Sequence, residues 1–165
     1  FWGTKIAGVE IPSEAKKTPE QLGIQQKGPR VLRLPDGLEV VGAEWFKQSN
    51  AEKLVVPSSV RVLEKSAFLG CDQLRKVVFE PGSRLESIGD YCFYDCDIKE
   101  IVIPRSVCSI GSMAFAKCRN LVSLRFEEGS RLSHIGKHVF YCTELKPENI
   151  EYPDSLKANE SGLRL

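Results

Sequence analysis

The sequence predicts a mostly β solenoid, a single domain of short units stacked side by side. Three observations carry that prediction: one phenylalanine returns five times at regular spacing, every interval holds an apolar pair with period two, and a turn signal follows each pair. Phe46, Phe68, Phe93, Phe115 and Phe140 lie 22, 25, 22 and 25 residues apart, so the pattern closes on a 47-residue double unit. A second core-type residue precedes each of them: Trp45, Ala67, Cys92, Ala114 and Val139. The text repeats as well, because AFLGCDQLRKVVFEPGSRLESIGDY at 67–91 gives way to CFYDCDIKEIVIPRSVCSIGSM at 92–113, and AFAKCRNLVSLRFEEGSRLSHIGKH at 114–138 restores the longer version.

The strand of each unit shows in the pairs Leu32 and Leu34, Leu54 and Val56, Val77 and Phe79, Ile101 and Ile103, Leu124 and Phe126. A period of two marks a strand with one buried face. Turn residues stop each strand: Pro35-Asp36-Gly37, Pro57-Ser58-Ser59, Pro81-Gly82-Ser83, Pro104-Arg105-Ser106 and Glu128-Gly129-Ser130. There proline removes a ladder donor and glycine permits positive φ. A second apolar pair follows, Leu85 with Ile88, Val107 with Ile110 and Leu132 with Ile135, before the phenylalanine returns. Units this short cannot hide their own apolar edge, so they stack into one core, with equivalent strands in a parallel sheet about 4.8 Å apart and the phenylalanines as a ladder on the opposite wall. About five to six repeats are expected, with at most short helical pieces.

Composition bounds the function. The chain has 165 residues, 42% of them hydrophobic, enough to build a core. With 23 basic against 22 acidic residues there is no net field to attract nucleic acid or an anionic membrane surface. No apolar run approaches the roughly 18 residues that cross a bilayer. The chain begins at Phe1 without a basic-then-apolar leader, which fits a processed form or a fragment of something longer. Two histidines and no Cys-x-x-Cys pair leave little for metal binding or general acid and base chemistry, and no Gly-x-Ser-x-Gly or phosphate loop is present, so no enzyme, cofactor or metal is expected.

The units resemble BspA-type leucine-rich repeats, whose pattern runs as an apolar strand, Ile-Pro-x-Ser-Val, Ile-Gly, then Ala-Phe-x-x-Cys. IVIPRSVCSIGSMAFAKCRNL at 101–121 matches nearly throughout, and the resemblance covers roughly residues 30–156. It departs at the ends, where Trp45 replaces Ala, Ser49 stands where Cys is expected, and extra residues fall between Leu145 and Ile150. The resemblance implies a leucine-rich-repeat arc with the strand sheet on its concave face. It also implies a surface-exposed protein that mediates adhesion, often within a longer chain, and so a cell-surface or extracellular location.

Four of the six cysteines, Cys71, Cys96, Cys118 and Cys142, recur three or two residues after the phenylalanine and are expected as a buried reduced ladder whose thiols serve backbone carbonyls. Cys92 and Cys108 lie off that pattern, and a disulfide involving either stays open. His134 and His138 are four apart, but no helix is expected across Ser-His-Ile-Gly, so they read as convex-side surface residues rather than ligands. Ser83, Ser106 and Ser130 read as turn formers whose hydroxyls bond local backbone.

Residues 1–29 fall outside the repeat and read as an N-terminal arm or cap, with Phe1, Trp2, Ile6, Val9 and Ile11 available to cover the first unit or to dock elsewhere; 30–156 form the solenoid and 157–165 a tail. The strand positions that point away from the core supply the candidate partner face. One row is Arg33, Val55, Val78, Val102 and Arg125; the next holds Val31, Lys53, Lys76, Glu100 and Ser123. Three adjacent valines bordered by arginines form an apolar stripe of the kind that marks interaction surfaces, although valine is also simply a good strand former. The expected function is a non-catalytic protein-binding module using this face. The alternatives are a structural subunit of a large multiprotein assembly docked through its terminal arms, which would place it inside the cell, and a surface adhesin fragment.

Overall fold

The computed structural model describes residues 18–23, 30–146, 148 and 150–157. Five turns of a parallel solenoid account for most of them. Strands β1 (Val31–Arg33), β3 (Lys53–Val56), β5 (Lys76–Phe79), β7 (Glu100–Ile103) and β9 (Ser123–Phe126) form one parallel sheet in that order. The expected inward positions are buried: Leu32, Leu34, Leu54, Val56, Val77, Ile101, Ile103 and Leu124 all belong to the core, while Phe79 and Phe126 at the strand ends are half-buried.

The second apolar pair does more than pack. Two-residue strands β2 (Val40–Val41), β4 (Val62–Leu63), β6 (Ser87–Ile88), β8 (Ser109–Ile110) and β10 (His134–Ile135) make a second parallel sheet. Val41, Leu63, Ile88 and Ile110 point into the core, and the glycine after the isoleucine donates its N–H back one repeat: Gly89 to Leu63, Gly111 to Ile88 and Gly136 to Ile110, each at 2.8 Å. Here the main chains lie so close that a Cβ on Gly89 would come within 2.7 Å of the Glu64 carbonyl carbon, and one on Gly136 within 2.6 Å of that of Gly111. Space, not positive φ, therefore demands the glycine of each Ile-Gly step.

The third wall is the phenylalanine turn. Each phenylalanine N–H donates to the residue before the next phenylalanine: Phe46 to Ala67, Phe68 to Cys92, Phe93 to Ala114 and Phe115 to Val139, at 2.8–3.0 Å. The residues two before and two after also donate forward, as Tyr91 to Ser112 and Asp95 to Ala116. To aim alternate N–H groups the same way, the chain takes left-handed φ at both flanks in every repeat, from Glu44 and Gln48 (60° and 57°) to His138 and Cys142 (54° and 57°). Such a conformation costs a non-glycine residue about 1 kcal/mol, which the inter-repeat hydrogen bonds offset. The rings stack as expected, with centroids 5.2, 5.3, 5.4 and 6.0 Å apart from Phe46 to Phe140.

At the ends, Leu22, in the 3₁₀ turn Glu20–Leu22, packs against the core. Phe1, Trp2, Ile6, Val9 and Ile11, read above as covering residues, lie outside the described residues. After the fifth turn, Ile150 and Leu156 are buried, Tyr152 lies 6.3 Å from the Phe126 ring, and the Ser155 hydroxyl donates to Ser130 C=O; the short helix α1 (Asp154–Lys157) closes this segment.

Candidate interaction face

Parallel pairing sets the outward residues of the long-strand sheet in rows. Register places Arg33 beside Val55, Val55 beside Val78, and Val102 beside Arg125; in the neighbouring row Val31 faces Lys53, Lys53 faces Lys76, Lys76 faces Glu100 and Glu100 faces Ser123. The eight residues picked out by alternation, Arg33, Lys53, Val55, Lys76, Val78, Glu100, Val102 and Arg125, thus share one face.

Their environments differ along the row. Arg33 is no free flank: its guanidinium bonds Asp36 at 3.0 Å and Glu80, which comes from the far side of β3. That pair reaches across the sheet beside Val55, which is half-buried. Arg125 at the other end has no ion-pair partner among the described residues, and Val102 is 43% exposed. The row is therefore exposed at Val102 and Arg125, half-buried at Val55 and Val78, and closed at Arg33 by its ion pairs.

The sheet also opens there. β1 pairs β3 from Val31 to Arg33, while β3 with β5 and β7 with β9 pair over four residues; β5 and β7 pair only at Lys76 and Glu100. A cleft of about 230 Å³ occupies the gap, lined by Lys76, Val78, Phe79, Glu100, Val102 and Arg125 among others. At the strand ends the main-chain bonding differs as well. Glu80 N–H donates to Val56 C=O and Glu127 N–H to Ile103 C=O, both at 3.0 Å, whereas Pro104 holds the equivalent place after β7 and has no N–H for Phe79. Pro104 was visible in the sequence as a turn signal; the parting of β5 from β7 was not.

The cysteines form a separate constellation. Cys71, Cys96 and Cys118 are buried, and their thiols donate to the carbonyls of Phe46, Phe68 and Phe93, one repeat back, at 3.1–3.2 Å. Cys142 does not continue this ladder. It stands two residues after Phe140, at the outward left-handed position, and is exposed, while Thr143 holds the ladder position and bonds Phe140 C=O at 2.8 Å. Ser49 holds it in the first repeat and is buried. Cys92 is buried in the core, Cys108 is half-buried, and none of the six is in a disulfide. Burial pushes the thiols of Cys92 and Cys96 far up and that of Cys118 to about 12. Thiolate is the reactive form, so a maleimide at neutral pH is expected to label Cys142 rapidly, Cys108 slowly, and the four core thiols only as the chain unfolds; mass spectrometry of timed samples reads the order. These groups hold protons to higher pH folded than unfolded, so their contribution to stability is intact below about pH 9 and fades as pH rises above it.

His134 is exposed on β10, and His138 is exposed with its ring 6.0 Å from Tyr141. Among the described residues no group of three or more His, Cys, Asp or Glu is placed to hold a metal ion, and no helix is long and apolar enough to cross a membrane. Ser83 and Ser130 accept from Leu85 and Leu132 N–H as turn formers should. Ser106 does not: its hydroxyl is enclosed without a partner, because the Pro-Arg-Ser turn places it differently from the two Gly-Ser turns.

Six copies of the BspA type leucine-rich repeat region match this chain, over residues 1–86 and 39–162. Among solved structures it is similar to the pneumococcal vaccine antigen PcpA, with 19% identity and a TM-score of 0.61, over 74% of this chain and 42% of that one. It is also similar to a leucine-rich repeat protein from Bacteroides capillosus ATCC 29799, with 23% identity and a TM-score of 0.51, over 61% of this chain and 78% of that one. The chain spans less than half the length of the pneumococcal chain. At these identities both likenesses speak to the fold. No curated protein is matched.

Proposed function

From the premise that the chain belongs to the BspA-type leucine-rich repeat family, we propose that it is a non-catalytic module that binds a protein partner on the outer face of its long-strand sheet. One observation carries this reading: the apolar row stays exposed at Val102 while the sheet parts beside it, so an apolar surface with depth lies between charged residues. Apolar patches with polar rims are where soluble domains meet partners, and a cleft adds the enclosure that makes a few contacts count. Cys71, Cys96 and Cys118 serve backbone carbonyls and Ser83 and Ser130 cap turns, which favours binding over catalysis. The family likeness further favours exposure at a cell surface, where such a face meets proteins of another cell or of a matrix.

The test is a comparison of the full chain with a Val78→Glu, Val102→Glu variant, both substitutions pointing off the sheet. Partners captured from the native source by the wild type are expected to bind the variant at least about tenfold more weakly, a difference of ~1.4 kcal/mol, with the melting temperature little changed. Equal binding by both chains would reduce the valines to strand propensity and move the search to residues 1–29.

A further inference from the structure

Register sets two lysines side by side on this face without a carboxylate between them. Lys53 faces Lys76 across β3 and β5, and neither forms an ion pair among the described residues. Lys76 has Glu100 as its other register neighbour, yet the two make no ion pair, and Lys53 has Val31. Like charges directly opposite on adjacent strands repel, so the folded chain carries an unfavourable term that an added carboxylate would remove. Cations around it are satisfied: Arg30 pairs Glu52, Arg75 pairs Asp97, and Arg33 pairs Asp36 and Glu80. On this face the cations without an ion pair among the described residues are Lys53, Lys76 and, one row over, Arg125.

The valine row lies two residues along the strands from the lysines, or ~6.6 Å at about 3.3 Å per residue. An extended chain has the same rise and shows every second side chain on one face. We infer that the face takes an extended acidic segment of a partner protein, with an Asp or Glu over the Lys53–Lys76 pair and an apolar side chain two positions away seated in the opening between β5 and β7, against Val78 and Val102. This inference rests on the strand-face reading and gives it a partner chemistry. The opening holds about 230 Å³, room for a single large aliphatic or aromatic side chain, and Lys76 stands on its rim so that the two subsites adjoin.

A display library of random linear peptides, panned on the full chain, on a Lys53→Ala, Lys76→Ala variant and on Val102→Glu, tests it. The wild type is expected to enrich peptides with a carboxylate two positions from an apolar residue. These should bind the lysine variant about tenfold or more weakly and lose affinity as salt is raised. Peptides that lack the acid, or that bind the lysine variant as well as the wild type while failing on Val102→Glu, would overturn the acidic readout and leave the strand face as the binding surface. Peptides that bind Val102→Glu unchanged, or no enrichment on the wild type, would overturn both.

Discussion

Replacing Phe93 with alanine is expected to cost about 4 kcal/mol and to broaden or divide the unfolding transition. The ring is wholly buried and stacked on both sides, 5.3 Å from Phe68 and 5.4 Å from Phe115. Truncating a buried Phe costs about 3–5 kcal/mol through lost transfer free energy and the cavity left behind, and each aromatic pair adds roughly 0.5–1.5 kcal/mol. Position matters as much as chemistry. A solenoid repeat touches only its neighbours, so a gap in the third repeat uncouples the first two from the last two. Phe140, with one stacked neighbour at 6.0 Å, is expected to lose markedly less on the same change. Urea unfolding followed by fluorescence and by circular dichroism reads both; equal costs at the two positions would show that the stack does not couple repeats in series.

Gly111→Ala is expected to cost about 3 kcal/mol, unusually much for one methyl group. The added carbon would lie 2.6 Å from the Gly89 carbonyl carbon and closer still to the Asp90 amide. Neither main chain yields easily, because Gly111 N–H is bonded to Ile88 and Gly89 N–H to Leu63 at 2.8 Å. Gly82 supplies the control. It has φ 74° with open space around its Cβ position, so Gly82→Ala meets only left-handed strain, about 1 kcal/mol. Equal denaturation midpoints for the two variants would mean that close approach of the main chains is not what the Ile-Gly step protects.

The outward strand face was legible in part. Alternation from Arg33 to Arg125 gives the outward row correctly, since a strand's side-chain period is fixed at two. Arg33 and Arg125 look equivalent in that row; only the fold brings Glu80 across β3 to occupy the first and leaves the second without an ion-pair partner among the described residues. Cys142 shows the same limit at shorter range. One residue fewer after Phe140 moves it from the inward ladder position to the outward left-handed one, so a thiol that matches the pattern loosely ends up exposed.

The solenoid, its repeat length, the stacked phenylalanines and the family likeness are all readable from the residues alone, because each follows from spacing within one unit and is restated in every unit. Stacking added what no single unit shows: the second sheet, the parting of β5 from β7 and the closure of one end of the valine row. Those are relations between units. Their energies depend on which main-chain donors, side-chain charges and volumes face each other after stacking, and the stack brings together residues that the sequence holds more than twenty positions apart.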